Sequence, residues 1–168
     1  MLKILGLVLI VAAGTGAGFW ASTRLQRRVT VLEAVDRFLL YIAGKIRYTA
    51  APVPDIVSGI VREGKFSELP FLRGVAGCGA AAFHETWRRE LLAWQRGGPL
   101  LQEDVELLLD FGEKTGTSDL DGQIENCRMY QELLDVRLKD ARSAAREKGR
   151  LYMTLGLIGG MALALLLA

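Results

Sequence analysis

The sequence predicts an all-α protein, a six-helix antiparallel bundle whose first and last helices continue into N- and C-terminal transmembrane helices. Three observations carry this. Both ends are apolar and uncharged: Ile4 to Thr23 and Leu151 to Ala168 contain no Asp, Glu, Lys, Arg or His. Apolar residues between them recur at steps of three and four, the period of one helix face. No run longer than about four residues alternates as a half-buried strand would. A spanning helix needs about 20 mostly apolar residues, because each rises about 1.5 Å across a core of about 30 Å. The first end meets that length, and the second is near its lower limit. The expected division is therefore residues 1–23 as one transmembrane helix, 24–150 as a cytoplasmic helical bundle and 151–168 as a second transmembrane helix.

In chain order, Leu25, Val29, Leu32, Val35, Leu39, Ile42 and Ile46 make one apolar face of a first bundle helix ending near Tyr48. Pro52 and Pro54 stop it, since a residue before proline is pushed out of the helical region. Pro54 then suits the first turn of a second helix, Asp55 to about Glu63, closed by Gly64. A short third helix is expected from Ser67 to Gly77. The fourth runs from Ala80 to Gln95 with Phe83, Trp87, Leu91 and Trp94 on one face; these aromatics read as core. Gly97-Gly98-Pro99 is the clearest break. Leu100 to Lys114 is the fifth helix, with Leu101, Val105, Leu108 and Phe111 or Gly112 inward. The sixth starts near Ser118. Its seam of Leu120, Ile124, Cys127, Gln131, Leu134, Leu138, Ala141 and Ala145 leads without a break toward the apolar end.

Charge bounds the function. All 19 acidic residues and all but Lys3 of the 21 basic ones lie in residues 24–150. A mixed, nearly neutral domain has no electrostatic footprint for nucleic acid. Arg24, Arg27 and Arg28 follow the first apolar end; Arg142, Arg146, Lys148 and Arg150 precede the second. Positive charge beside a span tends to stay in the cytoplasm, so the central domain is expected there. The long first apolar stretch, poorly matched to an A-x-A cleavage site, reads as a retained anchor rather than a signal peptide. Cys78 and Cys127 belong to no metal-binding cluster and read as small buried side chains.

Candidate sites are few. His84, the single histidine, has no partner of catalytic type at facing helical positions. Gly112 to Ser118 lacks the order of a phosphate loop, and Asp119 and Asp121 suit the start of a helix. The loop region holding Gly112, Glu113, Gly116, Asp119 and Gln123 is the candidate partner-binding segment, because loops on rigid scaffolds often carry recognition. Gly14 with Gly18, and Gly156 with Gly160, have the small-xxx-small spacing that lets helix backbones approach in lipid. They are the candidate positions for packing of transmembrane helices. No catalytic, cofactor or metal residues, and no small-molecule substrate, are expected.

Several segments together carry a family resemblance. Arg28-Val-x-x-Leu-Glu33 opens the first helix, and Lys45-Ile-Arg-Tyr-Thr49-Ala-Ala-Pro-Val-Pro54 closes it. Phe111-Gly-Glu-Lys-Thr-Gly116-Thr-Ser-Asp119-Leu-Asp-Gly-Gln123 opens the last, which ends Lys148-Gly-Arg-Leu-Tyr152-Met-Thr-Leu-Gly156. In order and spacing, over essentially the whole chain, these resemble the stage III sporulation protein AB family of endospore-forming bacteria. Thr115 departs from the leucine usual in that family, and Gly74 to Gly79 is a somewhat extended glycine-rich stretch.

The resemblance implies a component of the assembly joining mother cell and forespore, in the mother-cell membrane around the forespore, its polar domain in the mother-cell cytoplasm. It implies similarity to the six-helix cytoplasmic F domain of type II secretion and type IV pilus platforms. It also implies other stage III sporulation A-group proteins as partners, a secretion-type ATPase among them. The expected function is a non-enzymatic membrane scaffold of a secretion-like channel needed for spore development. The alternatives are a platform subunit of a pilus or secretion system outside sporulation, and a membrane-tethered enzyme.

Overall fold

The computed structural model describes the backbone of residues 2–167, and the side chains of these except 2–5, 7, 8, 10, 11, 157 and 163–167. Among the described residues there are six α-helices and no strand: α1 Leu2–Thr49, α2 Val53–Arg62, α3 Leu72–Val75, α4 Phe83–Gln95, α5 Gln102–Lys114 and α6 Leu120–Leu167. A 3₁₀ turn, Ala80–Ala82, leads into α4. The chain divides into two compact units, one of Met1–Val29 with Lys139–Ala168, the other of Thr30–Leu138.

The Thr30–Leu138 unit is a helical bundle around one apolar core. Leu32, Val35, Leu39, Ile42 and Ile46 of α1 are all buried, as their three-four spacing predicts. α2 adds Val53, Ile56, Val57 and Ile60, α5 adds Val105, Leu108 and Phe111, and α6 adds Cys127, Tyr130, Leu134 and Leu138. Trp87 of α4 lies at the centre. Its ring meets Phe71 edge-on at 5.1 Å and also touches Phe38, Phe83 and Phe111. Its indole N–H donates to the Leu108 carbonyl at 2.9 Å. A large ring buried with its one polar atom satisfied contributes both area and direction to the core.

Helix ends follow local chemistry. Ala50 takes a left-handed φ of 49°, its N–H donating to Ile46 at 3.0 Å, before Pro52 turns the chain. Pro54 falls in the first turn of α2, as expected. The third helix is shorter than the sequence predicts. Phe66 has φ 56°, and Leu69, Leu72 and Arg73 donate three residues back rather than four. Pro70 has no N–H to give, so residues 66–71 form turns and only Leu72–Val75 is α-helical.

α5 starts at Gln102 because Leu101 is extended (ψ 162°) and its N–H donates to the Asp104 carboxylate at 2.9 Å. That geometry turns Leu101 outward and buries Asp104, the reverse of the expected face. On α6, Leu120 is exposed and Tyr130 takes the inward place beside Gln131. Trp94 is half-buried and stacks on Phe71. Cys78 is half-buried rather than buried, and both thiols are free.

Among the described residues no helix is long and apolar enough to cross a membrane. This does not support the two terminal transmembrane helices that the sequence predicts. Both expected spans, Ile4 to Thr23 and Leu151 to Ala168, fall partly on side chains outside the described residues.

Candidate functional site

Within the Met1–Val29 and Lys139–Ala168 unit, α1 and α6 run antiparallel along a line of small residues. A Cβ added to Gly14 would lie 2.8 Å from the Gly156 carbonyl oxygen and 3.0 Å from the Gly160 Cα. One added to Gly156 would lie 2.6 Å from the Gly14 carbonyl oxygen, and one added to Gly18 would strike the Tyr152 carbonyl. Further along, Gly149 faces Ser22, whose Oγ would be 3.1 Å from the added atom. Positions 14, 18 and 22 are one turn apart, so they make a single stripe. Backbone meets backbone here, an approach that only the missing side chain permits. The structure thus brings together all four glycines of the two small-xxx-small segments.

Around the outside of the same unit, Phe19, Trp20, Leu151, Leu155, Ile158 and Met161 are exposed. The arrangement is inverted relative to an ordinary domain, with the smallest residues inside and the large apolar ones outside.

In the Thr30–Leu138 unit the loop candidates separate into two groups. Gly112 belongs to α5 and is buried under the Trp87 ring, where any side chain would collide with the indole. Its carbonyl accepts from the His84 Nδ1–H at 2.8 Å. Since a carbonyl only accepts, His84 carries its proton on Nδ1. Glu113 is exposed and pairs with Arg88 at 3.7 Å.

Gly116, Asp119 and Gln123 shape the turn between α5 and α6. Thr115 Oγ1 donates to the Phe111 carbonyl at 2.7 Å, closing α5. Gly116 then takes φ 77°, a left-handed conformation that glycine adopts without strain. Asp119 caps α6, its carboxylate accepting from the Gly122 N–H at 3.0 Å. The Gln123 side chain donates to the Ser118 carbonyl at 3.0 Å. Gly116 and Gln123, with Pro52, Pro54, His84 and Leu120, line a cleft of about 250 Å³. Gly112, Glu113 and Asp119 do not line it.

Sequence reasoning missed three features. Tyr130 is buried, donates to Asp110 of α5, and has Lys114 Nζ 5.7 Å from its ring centre. Lys65 sits 4.7 Å from the Tyr41 ring centre and pairs with Glu63 at 2.6 Å beside a hollow of about 550 Å³. The Tyr130–Asp110 and Lys65–Tyr41 contacts join residues 20 and 24 apart in the chain, and so leave no local signal. The third, an exposed apolar stripe of Met129, Leu133 and Val136, has the same four-three spacing as the buried seam and was legible beside it.

Taken together, the fold and these surfaces define a class: an all-helical protein whose distinctive features are packing surfaces. Among the described residues no group of three or more His, Cys, Asp or Glu is placed to hold a metal ion. The family described as stage III sporulation protein AB matches residues 3–168, so the chain belongs to the stage III sporulation protein AB family and is tied to sporulation. The stage III sporulation protein AB of Bacillus subtilis (strain 168) is 24% identical over 170 residues, covering 99% of each chain. No solved structure matches the chain.

Proposed function

We propose that this chain is a non-enzymatic scaffold embedded in the mother-cell membrane around the forespore, part of a secretion-like assembly linking the two cells. The observation that carries the membrane placement is the inverted unit of α1 and α6. Large exposed apolar side chains around a glycine seam are costly in water, where contiguous patches of that kind mark a lipid or protein contact. In lipid the same arrangement is favourable, because helix pairing there relies on close backbone packing rather than on removing apolar surface from water. The basic residues flanking both apolar ends favour a cytoplasmic position for the central unit.

Family membership supports the sporulation context. The six-helix bundle is compatible with a resemblance to secretion and pilus platform domains, and other stage III sporulation A-group proteins, including a secretion-type ATPase, are the proposed partners. The cleft at Gly116 and Gln123 is the proposed meeting point, built from three separate loops on a packed core.

Two experiments test this. Deleting the gene should block spore formation after engulfment begins, and normal heat-resistant spores would overturn the sporulation role. For topology, the full chain in sporulating cells is labelled with a membrane-impermeant maleimide. Cys127 is buried and its thiol is pushed up to about 11 by that burial, so the half-buried Cys78 is the informative residue. Cys78 should react only after the membrane is opened. Labelling from outside intact cells, or release of the chain from membranes by alkaline carbonate, would sink the proposed placement.

A further inference from the structure

The inverted unit of Met1–Val29 and Lys139–Ala168 also concentrates positive charge. It holds nine Lys or Arg and two Asp or Glu, a net +7, whereas residues 30–138 hold twelve and seventeen, a net −5. Five of the basic side chains, Arg24, Arg27, Arg146, Lys148 and Arg150, are exposed. Among the described residues none of these five pairs with an acidic side chain.

Their heights and directions follow from the glycine seam. Ser22 meets Gly149, so at about 1.5 Å per residue along each antiparallel helix the five lie in a band about 9 Å deep. The one acidic residue in that band, Glu147, accepts from the Ser143 hydroxyl at 2.9 Å. The band encircles the helix pair. At about 100° per residue, Arg24 and Arg27 lie about 120° and 180° round α1 from Gly18, which faces α6. Lys148 and Arg150 lie about 100° to either side of Gly149, which faces α1. Next to the band, toward the apolar ends, come Trp20 and Tyr152, and beyond them the exposed Leu155, Ile158 and Met161.

We infer that this collar binds the headgroups of anionic phospholipids, an inference that rests on the membrane placement proposed above. Three observations select lipid as the occupant. The depth of the band is close to one headgroup layer, about 5–7 Å, once the reach of long basic side chains is added. The order apolar, aromatic, basic is the order met on leaving a bilayer. Most decisively, the charges lie on all sides of the helix pair. One acidic partner helix would touch only one side, whereas a lipid surface meets every side at once. Guanidinium groups without a carboxylate partner are suited to donate to phosphate oxygens. An anionic surface attracts this unit and repels the net-negative one.

The test uses Trp20, 67% exposed beside the collar, while Trp87 is buried and Trp94 half-buried. The full chain is reconstituted in vesicles of phosphatidylcholine and phosphatidylglycerol at one fixed composition, with bromine on the acyl chains of one lipid or the other. Quenching seen in the parent and absent in Trp20→Phe reports which lipid lies at the collar. Phosphatidylglycerol should be enriched there roughly five-fold over its bulk share, the factor worth one basic residue at an anionic surface, and less as salt is raised. Arg24→Gln with Arg146→Gln and Arg150→Gln, all at exposed positions, should return the lipid to its bulk share. The corresponding three lysine substitutions should keep the enrichment. Arg88→Gln with Arg89→Gln and Arg96→Gln, which remove the same charge from the other unit, should leave it unchanged. Equal quenching by the two brominated lipids, enrichment that survives the collar glutamines, or enrichment lost in the lysine variant overturns the inference and leaves the membrane placement standing. So does enrichment abolished by an equimolar leucine–glutamate helical peptide, which would mark the collar as the seat of an acidic protein helix. No quenching of Trp20 by either lipid overturns the placement itself and the inference with it.

Discussion

Gly112 shows how one missing side chain can organise a core. Trp87 lies against the bare Cα of Gly112, and its N–H reaches the Leu108 carbonyl one turn earlier in α5. Gly112→Ala forces the indole to move and strains that hydrogen bond. Overpacking of this kind costs about 1–3 kcal/mol, so thermal unfolding followed by circular dichroism should show a clearly lowered midpoint. Asp110 offers a separate, pH-dependent test. The Tyr130 hydroxyl, and then Lys114 at 3.0 Å, stabilise its carboxylate and hold its pKa below the usual 3.8. The folded chain thus binds fewer protons here than the unfolded chain does. The contribution is present above about pH 4 and is lost as pH falls through the depressed value. Asp110 is half exposed, so the effect is modest. Denaturant unfolding at pH 5 and pH 3 should show a smaller acid-induced loss for Asp110→Asn than for the parent.

The helices were legible wherever a single face decides burial. The seven positions assigned to α1 recur at steps of three and four, and six of them, Val29 to Ile46, are buried. Legibility failed where capping geometry overrides the apolar pattern. Leu101 looks like the first core position of α5, but Asp104 reaches back to its N–H, so the leucine becomes a cap and points outward. Asp104→Ala should remove that cap and leave the half-buried Leu101 N–H without its carboxylate, at a cost of about 1 kcal/mol. A lowered unfolding midpoint with unchanged helix content in the folded baseline is the expected outcome. The third helix failed for a related reason: Pro70 and the left-handed Phe66 break a segment whose composition alone permits a helix. The candidate loop was half legible. Gly116 and Gln123 reach a common cleft, while Gly112, adjacent in sequence, serves Trp87 instead. Nothing in the local sequence distinguishes a glycine needed for a turn from one needed for a distant ring.

At the scale of the molecule, the pairing of α1 with α6 along the glycine seam can be tested by covalent trapping. The Ser22 Cβ is 4.0 Å from the position a Cβ would take on Gly149, which suits a disulfide. Oxidation of a Ser22→Cys, Gly149→Cys chain should give an intramolecular bond that speeds migration on a non-reducing gel. A failure to form it, or formation only between two chains, would refute the antiparallel pairing. The seam also fixes what kind of environment this contact tolerates. Ordinary cores are held by the release of water, so they loosen when the surrounding medium itself dissolves apolar groups. Glycine against carbonyl has almost no apolar surface to hide. Contact through shape alone does not depend on the solvent's cohesion, so this helix pair should persist in detergents that strip conventional packing, and a single added methyl at Gly14 or Gly156 should undo it in water, detergent and bilayer alike.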